Sequence, residues 1–367
     1  MLNFFLFIKK FFKARWVLQK PKQKKFIVYD FVNSNVIFKY IKKTQSAIYY
    51  TRWEEINFFI LFYIIFNYGL KDIKKNYKKF FFIFVNPKIA ITSTSNQVSF
   101  YKLKNHFPNI TTISIQNNLG DEDFIKLLKN EKKNSLSCDY FFFFSDSFRR
   151  MYEKYILVKK KSLIIGSFKN NFYYKKSSNN KKLLFISKSN WNTKGFLNEI
   201  ILLNYIIKFL KKNQTGKIDI CLKTDDLFII NHYKKNLDLK FINIIPKKNN
   251  YLSSYDYETI IFTDSTLGYE CLAKGKKIIS FALGSLKKDW CIKNNILPLN
   301  KFGYPYELKN EGFCWSNSCS EKKVNKLLKN IIFMKQSLFN KKIKNFKNKI
   351  MFFDPKNSKF KRLLCVV

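Results

Sequence analysis

Residues 259–281 carry the pattern that decides the fold: Thr259-Ile-Ile-Phe-Thr-Asp-Ser-Thr-Leu-Gly-Tyr-Glu-Cys-Leu-Ala-Lys-Gly275, then Lys276-Lys-Ile-Ile-Ser-Phe281. An apolar strand ends in Asp264, and Ser265 and Thr266 stand where a helix begins. Gly275 closes that helix and a second apolar strand follows, which is the strand, turn, helix, strand order of a parallel α/β unit. The first amides of a helix have no partner within it and the helix dipole is positive there, so the turn offers a seat for a phosphate. Ser265 and Thr266 add hydroxyl donors, Gly268 leaves room for a ligand, and Glu270 lies one turn in, where a carboxylate reaches ribose hydroxyls. The same spacing also fits a plain N-cap by Asp264 or Ser265, so spacing alone leaves both readings open.

The alternation extends through the whole chain. Strand-like runs occupy 26–30, 47–51, 89–93, 112–116, 140–145 and 162–165, with helical patterning over 57–75, 97–105, 121–133 and 147–155. A polar, turn-rich segment follows at 174–182 and reads as a linker. The pattern then restarts, with strands at 183–187, 217–222, 241–245, 259–263 and 277–281 and helices at 195–212, 227–236, 266–273 and 321–347. This predicts an α/β protein with two Rossmann-like domains facing each other across a cleft. The domains run over 23–175 and 182–345, with a helical extension at 1–22 and a tail at 346–367. Ligands of such sheets bind off the carboxyl ends of the strands, so the loops after strands are where chemistry is expected.

Composition narrows the partners. At roughly 100–200 residues per domain, two domains suit the 367 residues, and 46% hydrophobic with 18% aromatic content excludes a disordered chain. The net charge is +44, yet only Arg15, Arg52, Arg149, Arg150 and Arg362 are arginines. Lys, Asn, Ile and Phe are in excess together, as an A/T-rich coding sequence would produce. Nucleic-acid readers rely on arginine for bidentate contacts, so nucleic acid is not the expected partner. Phosphorylated substrates or an acidic membrane face are. The seven cysteines form no CxxC pair and only His106 and His232 could join them; neither a metal nor a cofactor is expected, and a reducing cytoplasm is. Residues 1–12 are apolar with two lysines, too short to span a bilayer. The segment reads as an extra helix packed on the first domain, or residues 1–20 as a peripheral contact at the inner face of the cytoplasmic membrane.

Other loops after strands hold candidate groups. Thr51-Arg-Trp-Glu54 has capping-box spacing, but Arg52 and Glu54 could instead face the cleft. Gln116-Asn117-Asn118-Leu-Gly-Asp121 offers amides and a carboxylate. A base that accepts the proton of an acceptor hydroxyl would come from Asp30, Glu54, Asp121 or Glu122, with Glu54 and Asp121 taken forward as catalytic candidates. Lys188 and Lys223 follow the first two strands of the second half, where an ammonium could neutralise a diphosphate without a metal. Residues 312–319 either stack on a base or pack as a connection into the last helix.

Five pieces in order, Lys24-Lys-Phe-Ile-Val-Tyr-Asp30, Thr51-Arg-Trp-Glu-Glu-Ile-Asn57, Ile113-Ser-Ile-Gln-Asn117, residues 264–270 and Gly312-Phe-Cys-Trp315, resemble bacterial surface-carbohydrate biosynthesis proteins found among lipopolysaccharide and capsule genes. That family is more distantly similar to CDP-glycerol glycerophosphotransferases. The 264–270 loop also resembles that of UDP-N-acetylglucosamine 2-epimerases, but has Thr266 and Leu267 where those enzymes carry a glycine pair; Asn118 likewise replaces an expected glycine. The resemblance implies a GT-B-like architecture. The second domain would hold a nucleotide-sugar or CDP-polyol donor through Asp264, Ser265, Thr266, Gly268, Glu270, Lys188 and Lys223. The first would hold a polysaccharide or lipid-linked acceptor, with Arg52, Gln116 and Asn117 lining the cleft. The expected activity is transfer of a glycosyl or glycerophosphoryl group. The alternatives are a sugar-nucleotide epimerase of the same fold, or a basic non-enzymatic protein bound to nucleic acid or membrane.

Overall fold

The computed structural model describes residues 12–69, 73–119, 122–132, 134–172, 182–187, 193–222, 225–245, 254–263, 265–281 and 301–367. The chain divides into two compact units. The first comprises Met1–Phe144, Arg149–Phe172 and Asn357–Val367; the second comprises Ser145–Phe148 and Tyr173–Lys356. The linker expected at 174–182 lies, except for Lys182, outside the described residues.

The first unit is built on a six-stranded parallel sheet. From edge to edge the strands are Ser46–Tyr49, Phe26–Tyr29, Ile89–Thr92, Thr111–Ile115, Ser137–Phe143 and Leu157–Ile164. The inner strands Phe26–Tyr29 and Ile89–Thr92 are buried along their whole length, as parallel strands covered on both faces must be. The edge strand Leu157–Ile164 carries Lys159, Lys160 and Lys161 and is largely solvated, which discourages pairing with another chain. In chain order the strands run 2-1-3-4-5-6, so the direction of travel reverses between Phe26–Tyr29 and Ile89–Thr92. Loops leave those two strands in opposite directions and open a crevice at their carboxyl ends.

Two segments outside the predicted first domain complete this unit. Arg15–Val17 pairs in parallel with Glu55–Asn57. Residues 358–364, within the stretch read as a tail, form a helix whose Phe360 is fully buried among Phe168, Phe142 and Tyr40, at ring distances of 4.8, 5.4 and 5.5 Å. Asn357 Nδ2 donates to Tyr40 Oη at 2.9 Å and to Phe168 O at 2.8 Å, fixing where that helix begins. The helix expected over 57–75 is divided into Phe58–Tyr68 and Ile73–Val85. Its cap is not the Thr51-x-x-Glu54 box: those residues form a turn ahead of the strand Glu55–Asn57, and Asn57 Oδ1 accepts from Ile60 N at 3.1 Å instead.

The second unit has its own six-stranded parallel sheet, ordered Ile242–Ile245, Ile218–Cys221, Leu183–Ile186, Thr259–Phe262, Lys277–Phe281 and Trp315–Ser316. In chain order this is 3-2-1-4-5-6, with the reversal between Leu183–Ile186 and Thr259–Phe262. The two-residue strand Trp315–Ser316 is too short to show a period in the sequence. The helix predicted over 321–347 is broken into Glu321–Ile332, Gln336–Ile343 and Lys347–Ile350. Neither proline nor glycine breaks it after Ile332. The buried ammonium of Lys277, paired with Glu258 at 2.7 Å, takes the carbonyls of Ile332 at 3.0 Å and Met334 at 3.1 Å, and so ends the helix from outside.

Candidate functional site

The turn quoted at the outset lies at the reversal point of the second sheet. Thr259–Phe262 is buried throughout, and the helix Thr266–Ala273 begins four residues after Phe262 ends the strand. Ser265 is the N-cap residue by backbone geometry, yet its side chain makes no capping hydrogen bond. Capping by Ser265 therefore lacks its bond, and Ser265 stays buried at the opening of the helix. Gly268 does not open space for a ligand. A Cβ there would meet the Phe262 ring at 2.3 Å, so the glycine exists to seat the helix directly on its own strand.

The aromatic residues complete that seat. Tyr269 stacks on Phe302 with centroids 5.5 Å apart, Phe302 stacks on Trp315 at 5.2 Å, and Tyr269 Oη accepts from Gly303 N at 3.2 Å. Gly312 in turn packs under the Trp315 indole, where a Cβ would lie 2.1 Å from the ring. Thus Gly312-Phe-Cys-Trp315 is a packed connection, and it braces the helix of the 264–270 loop. Glu270 is buried on this helix. Asp264, Lys188 and Lys223 lie outside the described residues.

Beneath the turn is a carboxylate that the motif reading does not single out. Glu199, on the helix Thr193–Asn213, is 2% exposed. Its Oε2 accepts from Ser187 Oγ and Tyr233 Oη, both at 2.6 Å, and its Oε1 from Thr263 Oγ1 at 3.3 Å. Ser187 and Thr263 follow the two strands between which the order reverses, so Glu199 ties the diverging strand ends together. Burial, then the nearby Glu199, pushes the Tyr233 phenol well up, keeping it a neutral donor. The sequence does hold a signal for this: Glu199 interrupts the apolar stripe of Leu202, Leu203, Ile206 and Leu210 on one helix face.

The first unit repeats the device. The Asp30 side chain is fully buried, and its backbone is held at φ 83°, a strained region for a non-glycine residue. Oδ1 accepts from Val32 N at 3.1 Å; Oδ2 accepts from Thr51 Oγ1 at 3.2 Å, Arg52 Nη2 at 3.3 Å and Gln97 Nε2. Gln97 stands in the loop after Ile89–Thr92, so this carboxylate too bridges the strands at the reversal point. Glu54 is exposed and accepts from Arg52 N at 3.2 Å. Both ends of the Gln116 amide are engaged: Oε1 accepts from Phe144 N and Nε2 donates to Asn118 O, each at 2.9 Å. Asn117 is half-buried beside it. Asp121 lies outside the described residues.

Two parallel sheets with polar groups gathered at each reversal point define a GT-B-like α/β protein. The family model described as "putative O-antigen biosynthesis protein" matches residues 113–366, and the chain belongs to that family. No curated protein matches it. Among solved structures it is similar to the wall teichoic acid polymerase TagF, at 13% identity and a TM-score of 0.55, covering 94% of this chain and 89% of that one. A second TagF structure gives 13% identity and a TM-score of 0.53 over the same shares. UDP-GlcNAc 2-epimerase from Neisseria meningitidis, bound to UDP-GlcNAc, matches at 11% identity and a TM-score of 0.49, over 94% of this chain and 99% of that one. At these identities the likeness is one of fold.

The packing role of Gly268 is open to a direct test. Gly268→Ala forces a methyl into the Phe262 ring and is expected to cost about 1–3 kcal/mol by overpacking, read as a lower urea midpoint. A midpoint equal to that of the unmodified protein contradicts this seat for the helix.

Proposed function

We propose that this protein transfers a glycosyl or glycerophosphoryl group from a nucleotide-activated donor to a polysaccharide or lipid-linked acceptor during surface-glycan assembly. The observation that supports this most is the opening of the helix Thr266–Ala273 at the reversal point of the second sheet, on strand ends stitched by Glu199. Helix amides at such a point favour a diphosphate, and the Ser265 side chain is not consumed by capping. In this reading the diphosphate sits at Ser265 and Thr266, and Glu270 accepts from the ribose. Asp264, Lys188 and Lys223 complete the donor side, the lysines neutralising the leaving diphosphate in place of a metal. One TagF structure is of the polymerase soaked with CDPG, which supports a CDP-polyol alongside nucleotide sugars as a donor class. On the first unit, Glu54 or Asp121 takes the acceptor proton, and Arg52, Gln116 and Asn117 position the acceptor. Asp30, enclosed by four donors, orients Arg52.

The surface of the first unit supports work at an anionic membrane face. The helix Phe58–Tyr68 contains no charged residue. Phe58, Phe62 and Phe66 stack along it with centroids 6.2 and 6.3 Å apart, and are 45%, 61% and 82% exposed. Lys20, whose ammonium lies 5.8 Å from the Phe59 ring, and Lys79 on the next helix are exposed beside it. Apolar rings flanked by ammonium groups suit a bilayer of anionic lipid, which takes the rings into its interface and the lysines at its phosphates. Among the described residues no helix is long and apolar enough to cross a membrane.

Two outcomes are expected. CDP, UDP or GDP should raise the melting temperature of the protein, and Glu270→Gln should weaken the effective nucleotide at least tenfold without changing the melting temperature of the free protein. Equal affinity in the variant contradicts the ribose assignment. Separately, Phe62→Asp with Phe66→Asp should abolish sedimentation with phosphatidylglycerol vesicles; retained sedimentation contradicts the membrane contact.

A further inference from the structure

A cavity of 530 Å³ opens in the first unit beside the buried Asp30 cluster. It lies at the carboxyl ends of Phe26–Tyr29 and Ser46–Tyr49, whose last residues Tyr29 and Tyr49 line it together with Thr51 and Arg52. The other wall is the first turns of the helix Ile73–Val85, which contributes Lys74, Lys75 and Lys78. Four cationic side chains thus converge on one concavity, and none of the residues that line it is acidic. Among the described residues, Lys74, Lys75 and Lys78 form no ion pair, while Arg52 reaches only the Asp30 carboxylate behind it. Burial, reinforced by Lys102 and Lys74, holds the Lys78 ammonium below the usual lysine range. Crowding like charges at a partly buried wall costs stability, and an anion bound among them offsets that cost.

Four converging cations suit the higher charge of a phosphate, and the remaining walls suit a polar anion more than an apolar ligand. Burial pushes the Tyr29 phenol up to about 12, so it stays a hydroxyl, bonded to Ser99 Oγ at 3.0 Å. Asp30 holds one nitrogen of the Arg52 fork, which leaves other N–H groups of the same guanidinium for a second anion. Lysines bind phosphate as point charges and arginine adds a directional fork. The volume lies within the range of small-ligand sites and exceeds what a single phosphate fills.

We propose that this cavity binds the phosphate or diphosphate group of an anionic acceptor. The anion site stands on the geometry alone; its assignment to an acceptor rests on the transferase reading above. The test is calorimetric titration of the full chain with inorganic pyrophosphate. Three proteins are compared: the unmodified chain, Lys74→Gln/Lys75→Gln/Lys78→Gln, and a control of equal charge, Lys322→Gln/Lys329→Gln/Lys335→Gln, at exposed positions of the second unit. All six lysines are wholly or partly solvated, so both variants fold. The cavity variant should lose pyrophosphate affinity at least tenfold while the control changes less than twofold. Equal losses would reduce the effect to diffuse charge, and no loss in either would remove the site; each overturns the proposal. Nucleoside-diphosphate affinity, measured on the same proteins, should be unchanged in the cavity variant. If nucleotides bind and pyrophosphate does not, this inference fails and the transferase reading stands; if only pyrophosphate binds, the anion site stands and the transferase reading fails. Phosphatidylglycerol vesicles at saturating lipid should leave pyrophosphate binding intact. Competition by the vesicles would make a lipid headgroup the occupant and overturn the assignment to an acceptor.

Discussion

In each half of this protein a buried carboxylate holds two parallel strands at the point where their chain order reverses. Asp30 gathers Val32, Thr51, Arg52 and Gln97 in the first unit; Glu199 gathers Ser187, Tyr233 and Thr263 in the second. Both depend on the same balance. A buried charge is costly unless hydrogen-bonded, and here the donors come from loops that would otherwise diverge. Satisfying the charge therefore fixes the loops, and the fixed loops are where an α/β sheet binds ligand. Removing either carboxylate would leave several buried donors without an acceptor, which is why these positions constrain the surrounding chain more than any single apolar contact.

Around the second carboxylate, packing does the remaining positioning. The helix Thr266–Ala273 rests on Phe262 because Gly268 has no side chain, and Tyr269, Phe302 and Trp315 stack behind it. Residues 265–270 and 312–315, far apart in sequence, are thus parts of one brace. The first unit, by contrast, sets a cavity lined by cationic groups beside its carboxylate. Its neighbouring helix presents uncharged aromatic residues to solvent. The two halves share a sheet architecture and differ in what the sheet ends present.

Much of this was legible from the sequence. Ten of the twelve strands in the two six-stranded sheets largely coincide with predicted runs, because parallel strands buried on both faces read as short apolar segments bounded by turn residues. The solvated Leu157–Ile164 shares only its last three residues with one, and Trp315–Ser316 and the pair Arg15–Val17 and Glu55–Asn57 lie outside the predicted strand runs. Helices 227–236 and 266–273 agree at both ends, being bounded by a capping Asp226 in one case and Gly275 in the other. The departures have physical causes. The helix Phe58–Tyr68 ends on Gly69 at φ 66°, a stop that the sequence does display, whereas the break after Ile332 has no proline and is imposed by Lys277, a residue from another element. The docking of 357–367 depends on Phe360 finding Phe168 and Phe142, contacts of long sequence separation that no local period encodes. At the candidate site, the turn itself was readable, but Gly268 was read as ligand space when its neighbour is Phe262. Glu199 went unremarked because a lone carboxylate in an apolar helix reveals its partners only in three dimensions.

The account turns on the second-unit turn being the donor seat. Hydrogen–deuterium exchange of the full chain, with and without CDP, UDP and GDP, tests that claim directly. The prediction is that one of these nucleotides slows exchange of the amides at 262–270 and leaves those at 26–101 unchanged. Protection confined to the first unit, or absent from 262–270 with every nucleotide, would contradict it.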